Sequence, residues 1–225
     1  MLRVEPFRSE VSQLVSLALA ATSSSTDHAV LATDGGAEFP HAVCAVASHL
    51  GTAAAQLLGE DETAFAAELW SLTILLDVIA EVACVTHTVS RVYIFSDSLS
   101  SLTVLDQKRA PLFRSRQWRI CKEALKTAQD HRVCVTLHWV PSHGKEWRKL
   151  PLPSAVSEDE ARRLNQLADT AATNQRRVVA ESDGPWSHWQ HQYETAERWS
   201  LKAIRYAREV FQCFSKWLRL DPEIS

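Results

Sequence analysis

The sequence predicts an α/β fold, a mixed sheet flanked by helices, on three observations. Three short apolar runs separated by turn residues read as an antiparallel meander. A helical segment follows, its apolar residues spaced by three and four. Strand-like and helix-like segments then alternate, the pattern of parallel strands joined by helical crossovers. With 225 residues the chain suffices for one full domain and extensions.

The meander comprises His28 to Thr33, Val43 to Ser48 and Ala53 to Leu58; "HLGT" supplies the turn glycine between the last two. The first run ends at Asp34. From about Asp61, a helix carries Phe65, Leu69, Leu72, Leu76, Ile79 and Ala83 on one face. Val92 to Phe95 is unbroken β-branched and aromatic sequence, fitting a strand buried on both faces, and it ends at Asp97. "SLSSLTVL" reads as a short helix, and Lys108 to Gln129 as a helix broken near Pro111. Arg132 to Val140 alternates as a strand. "PSHG" closes it, residues 145 to 157 form an irregular excursion, and Glu158 to Arg176 is a helix with Leu164, Ala168, Ala171 and Ala172 as its stripe.

"TSSSTD" and "ESDGPW" mark the boundaries. Residues 1–26 read as an N-terminal segment, 27–177 as the main domain, and 178–225 as an extension. Within that extension, residues 186–220 form an aromatic-striped helix or helix pair suited to packing or self-association.

Apolar residues make up 46% and charged residues 23%, ordinary values for a globular protein. No apolar run reaches the roughly 18–20 residues that span a bilayer, so no membrane role is expected. Val11 to Ala21 is interrupted by Ser12, Gln13 and Ser16 and preceded by Glu5 and Glu10. It reads as a helix, not a secretion signal. Five scattered cysteines without a CxxC pair indicate a reducing, intracellular setting, nuclear or cytoplasmic. The net charge of −3 is unevenly spread. Residues 108 to 149 hold 11 Lys/Arg against three acids, a local +8 that leaves −11 to the remainder. Such asymmetry points to a polyanion or, more plainly, to a solvated helix face.

Four acidic residues occupy special places. Asp34 and Asp97 end strands, and sites in open sheets gather at the carboxyl ends of central strands. Glu68 borders the apolar face of its helix, and Asp169 lies beside an apolar stripe with Asn165 one turn earlier. Singly, these are a turn residue, a cap and surface acids. Together they would repel unless cations neutralise them, and hard oxygen ligands favour Mg²⁺ or Mn²⁺.

"TDGG", "AELW", "IFSDS", "WVPSHG" and "NQLAD" occur in the order and setting of the ribonuclease H type 1 family, which residues 27 to 177 resemble. The resemblance implies a ribonuclease H-like five-stranded mixed sheet, a meander followed by parallel strands, plus a helical extension. It also implies two-metal-ion cleavage of the RNA strand of RNA–DNA hybrids. Asp34, Glu68, Asp97 and Asp169 become metal ligands, and His143 the loop histidine that shuttles a proton or assists product release. Gly35 and Gly36 would let the backbone approach the phosphate and sugar. Ser98, Asn165, Lys108, Arg109, Arg114 and Arg116 become substrate-binding residues. The motifs look most like ribonuclease H domains of retrotransposon polyproteins, with a reverse transcriptase as the implied partner. A nucleic-acid-binding module without useful catalysis and an integrase- or resolvase-like DNA nuclease are the alternatives. Two departures stand out: 21 residues separate His143 from Asn165, and the C-terminal helix lies outside the family's basic fold.

Overall fold

The computed structural model describes residues 4–22, 28–38, 41–57, 63–86, 90–106, 115–141, 152–182 and 185–220. They fall into two compact units, Met1–Ser182 and Asp183–Ser225. The first carries a five-stranded sheet built from β1 (His28–Glu38), β2 (His41–Ser48), β3 (Gly51–Leu57), β4 (Ser90–Ser96) and β5 (Val133–Trp139). The strand order is β3-β2-β1-β4-β5. β2 runs antiparallel to both its neighbours, while β1, β4 and β5 run parallel. The predicted mixed sheet is therefore present, meander first and parallel strands after.

β1 departs from the sequence reading. It does not stop at Asp34 but continues to Glu38, with Gly35, Gly36 and Ala37 paired to Cys44, Val43 and Ala42 of β2. What stops before Asp34 is the parallel ladder on the other side, whose last pair is Thr33 with Ser96. The glycines thus lie in a ladder, not a turn.

Side chains alternate along β1. Ala29 and Leu31 join one buried cluster, and Val30 and Ala32 join another. The first cluster lies under α2 (Ala64–Thr86), which also packs against α4 (Ser115–Asp130). Thr63 Oγ1 caps α2, accepting the Ala66 N–H at 3.1 Å. Ile74, Leu75 and Val78 are buried along with the predicted stripe, because α2 is covered on more than one side. The second cluster packs under α5 (Glu158–Ser182), whose start is capped by Ser157 Oγ accepting the Glu160 N–H at 3.2 Å. Between β4 and α4 lies the short α3 (Leu99–Asp106).

α1 (Val4–Thr22) belongs to this core although it precedes the domain start expected near residue 27. Phe7, Val11, Val15 and Leu19, one per turn, are buried in the α2-side cluster. Arg8 Nη1 donates to Asp77 Oδ2 at 2.6 Å, and Arg8 also pairs with Glu81. Leu19 is fully enclosed, so Leu19→Ala should cost about 2–5 kcal/mol in a denaturant melt. A loss under about 1 kcal/mol would mean α1 is dispensable to the core.

The second unit holds α6 (Pro185–Leu220), one continuous helix where the sequence left open a pair. Tyr193, Tyr206 and Val210 of its predicted stripe are exposed. Among the described residues no helix is long and apolar enough to cross a membrane, and Cys44, Cys84, Cys121 and Cys134 are free thiols.

Candidate metal centre

Asp34 and Asp97 each follow immediately on the Thr33–Ser96 pair, so the end of the parallel ladder sets them side by side. The strand end carrying Asp97 is fixed from β5. Val140 N–H donates to Ser96 O at 3.0 Å, and the Trp139 indole donates to Asp97 O at 3.1 Å. Trp139 thereby acquires a positioning role that the "WVPSHG" motif alone did not assign.

The third carboxylate comes from α2, through an unusually close approach. A Cβ on Gly35 would lie 2.2 Å from the Glu68 nitrogen and 2.4 Å from the Ala67 carbonyl carbon. Only glycine lets α2 sit there. Ser71, one turn after Glu68, secures the contact by donating to Asp34 O at 2.6 Å. Gly35 therefore serves helix-on-strand packing, which places Glu68 beside Asp34, where the sequence reading had assigned it to ligand approach.

Each of Asp34, Glu68 and Asp97 offers a carboxylate oxygen, and these atoms lie within 4.8 Å of one another. Burial first, then the charges of Asp97 and Asp169, push the Asp34 carboxyl up to about 7, opposed by the Gly35 N–H and Arg176. Burial pushes Glu68 up to about 10, with the Asp34 and Asp97 charges adding to it. Asp169, on α5, thus lies within electrostatic reach of Asp34 and Glu68, its Oδ2 accepting from Gln166 Nε2 at 3.1 Å. Among the described residues Glu68 Oε2 is buried without a hydrogen-bond partner. Crowded carboxylates, two of them buried, with an unused oxygen have the donor chemistry of a divalent hard-cation site.

These carboxyls imply a pH signature for the metal-free chain. Both hold protons more tightly folded than unfolded, where ordinary values are 3.8 and 4.5. The native state binds more protons between about pH 4 and pH 7 through Asp34, and up to about pH 10 through Glu68, so stability falls as pH rises across this range. Melts in EDTA should drop by several degrees from pH 5 to pH 8, with a smaller drop in Glu68→Gln. Identical pH slopes in the two proteins would contradict the cluster's electrostatics.

The remaining predicted residues divide. Ser98 immediately precedes α3, its Oγ 2.8 Å from Ser101 Oγ. Asn165 is buried one turn before Asp169, with Oδ1 unpartnered among the described residues. Gly36 lies beneath Arg176, whose Nη1 would be 3.2 Å from a Cβ there. Arg116 falls in α4. Lys108, Arg109, Arg114 and His143, with most of the connection after it, lie outside the described residues. Trp118 packs against the α2-side core with Lys122 Nζ 5.7 Å above its ring. Sequence reasoning missed Ser71 and Arg176. Their spacing from Glu68 and Asp169, one and two helical turns, was the available signal.

Strand order, the single reversed strand and carboxylates at the end of the central parallel pair define a ribonuclease H-like fold. No family model and no curated protein sequence matches the chain. Among solved structures it is similar to the N-terminal RNase H domain of a Mycobacterium tuberculosis protein, solved as a maltose-binding-protein fusion. The identity is 17%, the TM-score 0.44, and the match covers 68% of this chain and 98% of that one. It is also similar to RNase H1 from Halobacterium salinarum, at 14% identity and TM-score 0.45, covering 66% and 96%. A foamy viral protease–reverse transcriptase in complex with an RNA/DNA hybrid matches at 15% identity and TM-score 0.46, covering 67% of this chain and 20% of that one.

Proposed function

We propose that the chain is a metal-dependent endoribonuclease that cuts the RNA strand of RNA–DNA hybrids. The observation that carries this is the three carboxylate oxygens within 4.8 Å where the parallel ladder ends, with Glu68 Oε2 buried and unpartnered among the described residues. Asp34, Glu68, Asp97 and Asp169 would hold two divalent ions, Mg²⁺ or Mn²⁺. When bound, such ions supply an activated water and neutralise charge on the leaving oxygen. The chain's own residues provide the positioning. Ser71 and Trp139 hold the backbones of Asp34 and Asp97, and the close α2 approach at Gly35 aims Glu68. Backbone groups of β1 and the Glu68 carboxylate can meet ribose 2′-hydroxyls, the feature that separates RNA from DNA. His143 would exchange protons near neutral pH, and the basic segment from Lys108 would take phosphates of the partner strand. A retroelement setting with a reverse transcriptase partner, and self-association through residues 186–220, belong to the same reading.

The test is a strand-labelled substrate panel in Mg²⁺: hybrid, single-stranded RNA, duplex RNA and duplex DNA. Cutting confined to the RNA of the hybrid supports the proposal. Hybrid binding without cutting would make the chain a binding module, and DNA duplex cutting would make it a DNA nuclease.

A further inference from the structure

Arg176 lies two helical turns beyond Asp169 on α5, hence on the same helix face. Its guanidinium stands over β1 at Gly36, two residues past Asp34, and its charge is felt at the Asp34 carboxyl. Its ion pair is loose. Arg176 Nε lies 3.6 Å from Glu38 Oε2, beyond hydrogen-bond range, and the Glu38 side chain is 79% exposed. An exposed pair of this kind holds a guanidinium weakly. The Arg176 side chain is itself only 30% exposed, so its position comes from packing on α5 and over Gly36, not from Glu38. Gly36 leaves the space beneath it clear of a side chain.

A cation fixed beside an acidic cluster, with its planar fork incompletely used among the described residues, suits an anion that must lie next to the metals without competing for them. We infer that Arg176 binds a backbone phosphate of the nucleic acid, adjacent to the phosphodiester at the carboxylates. Asp34 to Gly36 spans about 7 Å of strand, on the scale of one step along a nucleic-acid backbone. Arginine suits this better than lysine because its fork matches two phosphate oxygens at once. On phosphate binding, Glu38 is displaced into water. This inference rests on the nuclease reading above and adds a subsite to it.

Binding of a fluorescein-labelled RNA–DNA hybrid to the full chain, followed by anisotropy in EDTA across a salt series, tests it without metal or turnover. Arg176→Ala should bind about tenfold more weakly, and the slope of log affinity against log salt should shrink by about 0.9, one phosphate contact. Glu38→Ala, at an exposed position, should bind about two- to threefold more tightly, because the competing carboxylate is gone. It decides the matter should Arg176→Ala fail to fold, and unchanged or weaker binding then counts against the inference. Wild-type affinity and slope in folded Arg176→Ala overturn the inference and leave the nuclease reading standing. No hybrid binding by the wild-type chain in EDTA overturns this inference, whereas the nuclease reading falls only if the substrate panel in Mg²⁺ shows no cutting.

Discussion

Asp97→Asn should reduce hybrid cleavage in Mg²⁺ by at least about three decades, the several kcal/mol that a correctly held metal contributes. The substitution keeps the shape of the side chain and removes one charge. Asp97 sits where the β4 ladder ends, its backbone carbonyl tied to Trp139 at 3.1 Å, so the amide should occupy the same place. The loss would come from the ligand set, not from the fold. A second readout separates the two. In EDTA the Asp97 charge raises the proton affinity of both Asp34 and Glu68. Removing it relieves like-charge repulsion, so the metal-free variant should melt no lower than wild type. Retained cleavage, or a lower melting temperature in EDTA, would each contradict this account of Asp97.

The second large effect falls on stability. Gly35→Ala should destabilise the chain by on the order of 4 kcal/mol, near the upper end for a single substitution. The added methyl would meet backbone atoms of Ala67 and Glu68 at 2.2 to 2.7 Å, and backbone cannot swing aside as a flexible side chain can. α2 would have to lift from β1, opening the contact where Ser71 donates to Asp34 O and Cys44 Sγ donates to Ala67 O. The same shift would move Glu68 away from Asp34, so residual folded protein should also be poorly active. Gly36→Ala is the contrast. Its nearest obstacle is the end of the Arg176 side chain at 3.2 Å, which can adjust, so its cost should be far smaller. Equal melting losses in the two variants would show that the approach at Gly35 is not the cause.

Much of this architecture was readable because it repeats with short periods. The apolar runs of β1 and β4, the alternation of β5 and the stripe of α2 each follow from local burial, and they locate Asp34 and Asp97 where the parallel ladder ends and Glu68 at the edge of a buried helix face. The pairing of Asp34 with Asp97 then followed from two strands being parallel neighbours, as the Thr33–Ser96 register shows. Other features depend on contacts between distant segments and leave no periodic trace. "DGG" looks like a turn, yet Gly35 is required because α2 crosses β1 there, and β1 extends to Glu38 because β2 pairs with it. α1 shows an apolar residue on each turn, but only its burial against α2 and β3 reveals it as core. Arg176 had a legible spacing from Asp169 and still looked like any solvated helical cation, since its place over Gly36 is a tertiary fact. The basic residues from Lys108 to Arg114 and His143 lie outside the described residues and stand on the sequence alone.

The most direct measurement is calorimetric titration of Mn²⁺ into the metal-free full chain at pH 7, in two buffers of different ionisation enthalpy, with Glu68→Gln alongside. Carboxyls that hold protons until a cation replaces them release those protons on binding. The wild-type chain should bind Mn²⁺ with a heat that changes between buffers. Glu68→Gln should bind more weakly and release fewer protons. Mn²⁺ binding absent from the wild type, or unchanged in affinity and proton release by Glu68→Gln, would contradict a metal centre at Asp34, Glu68 and Asp97.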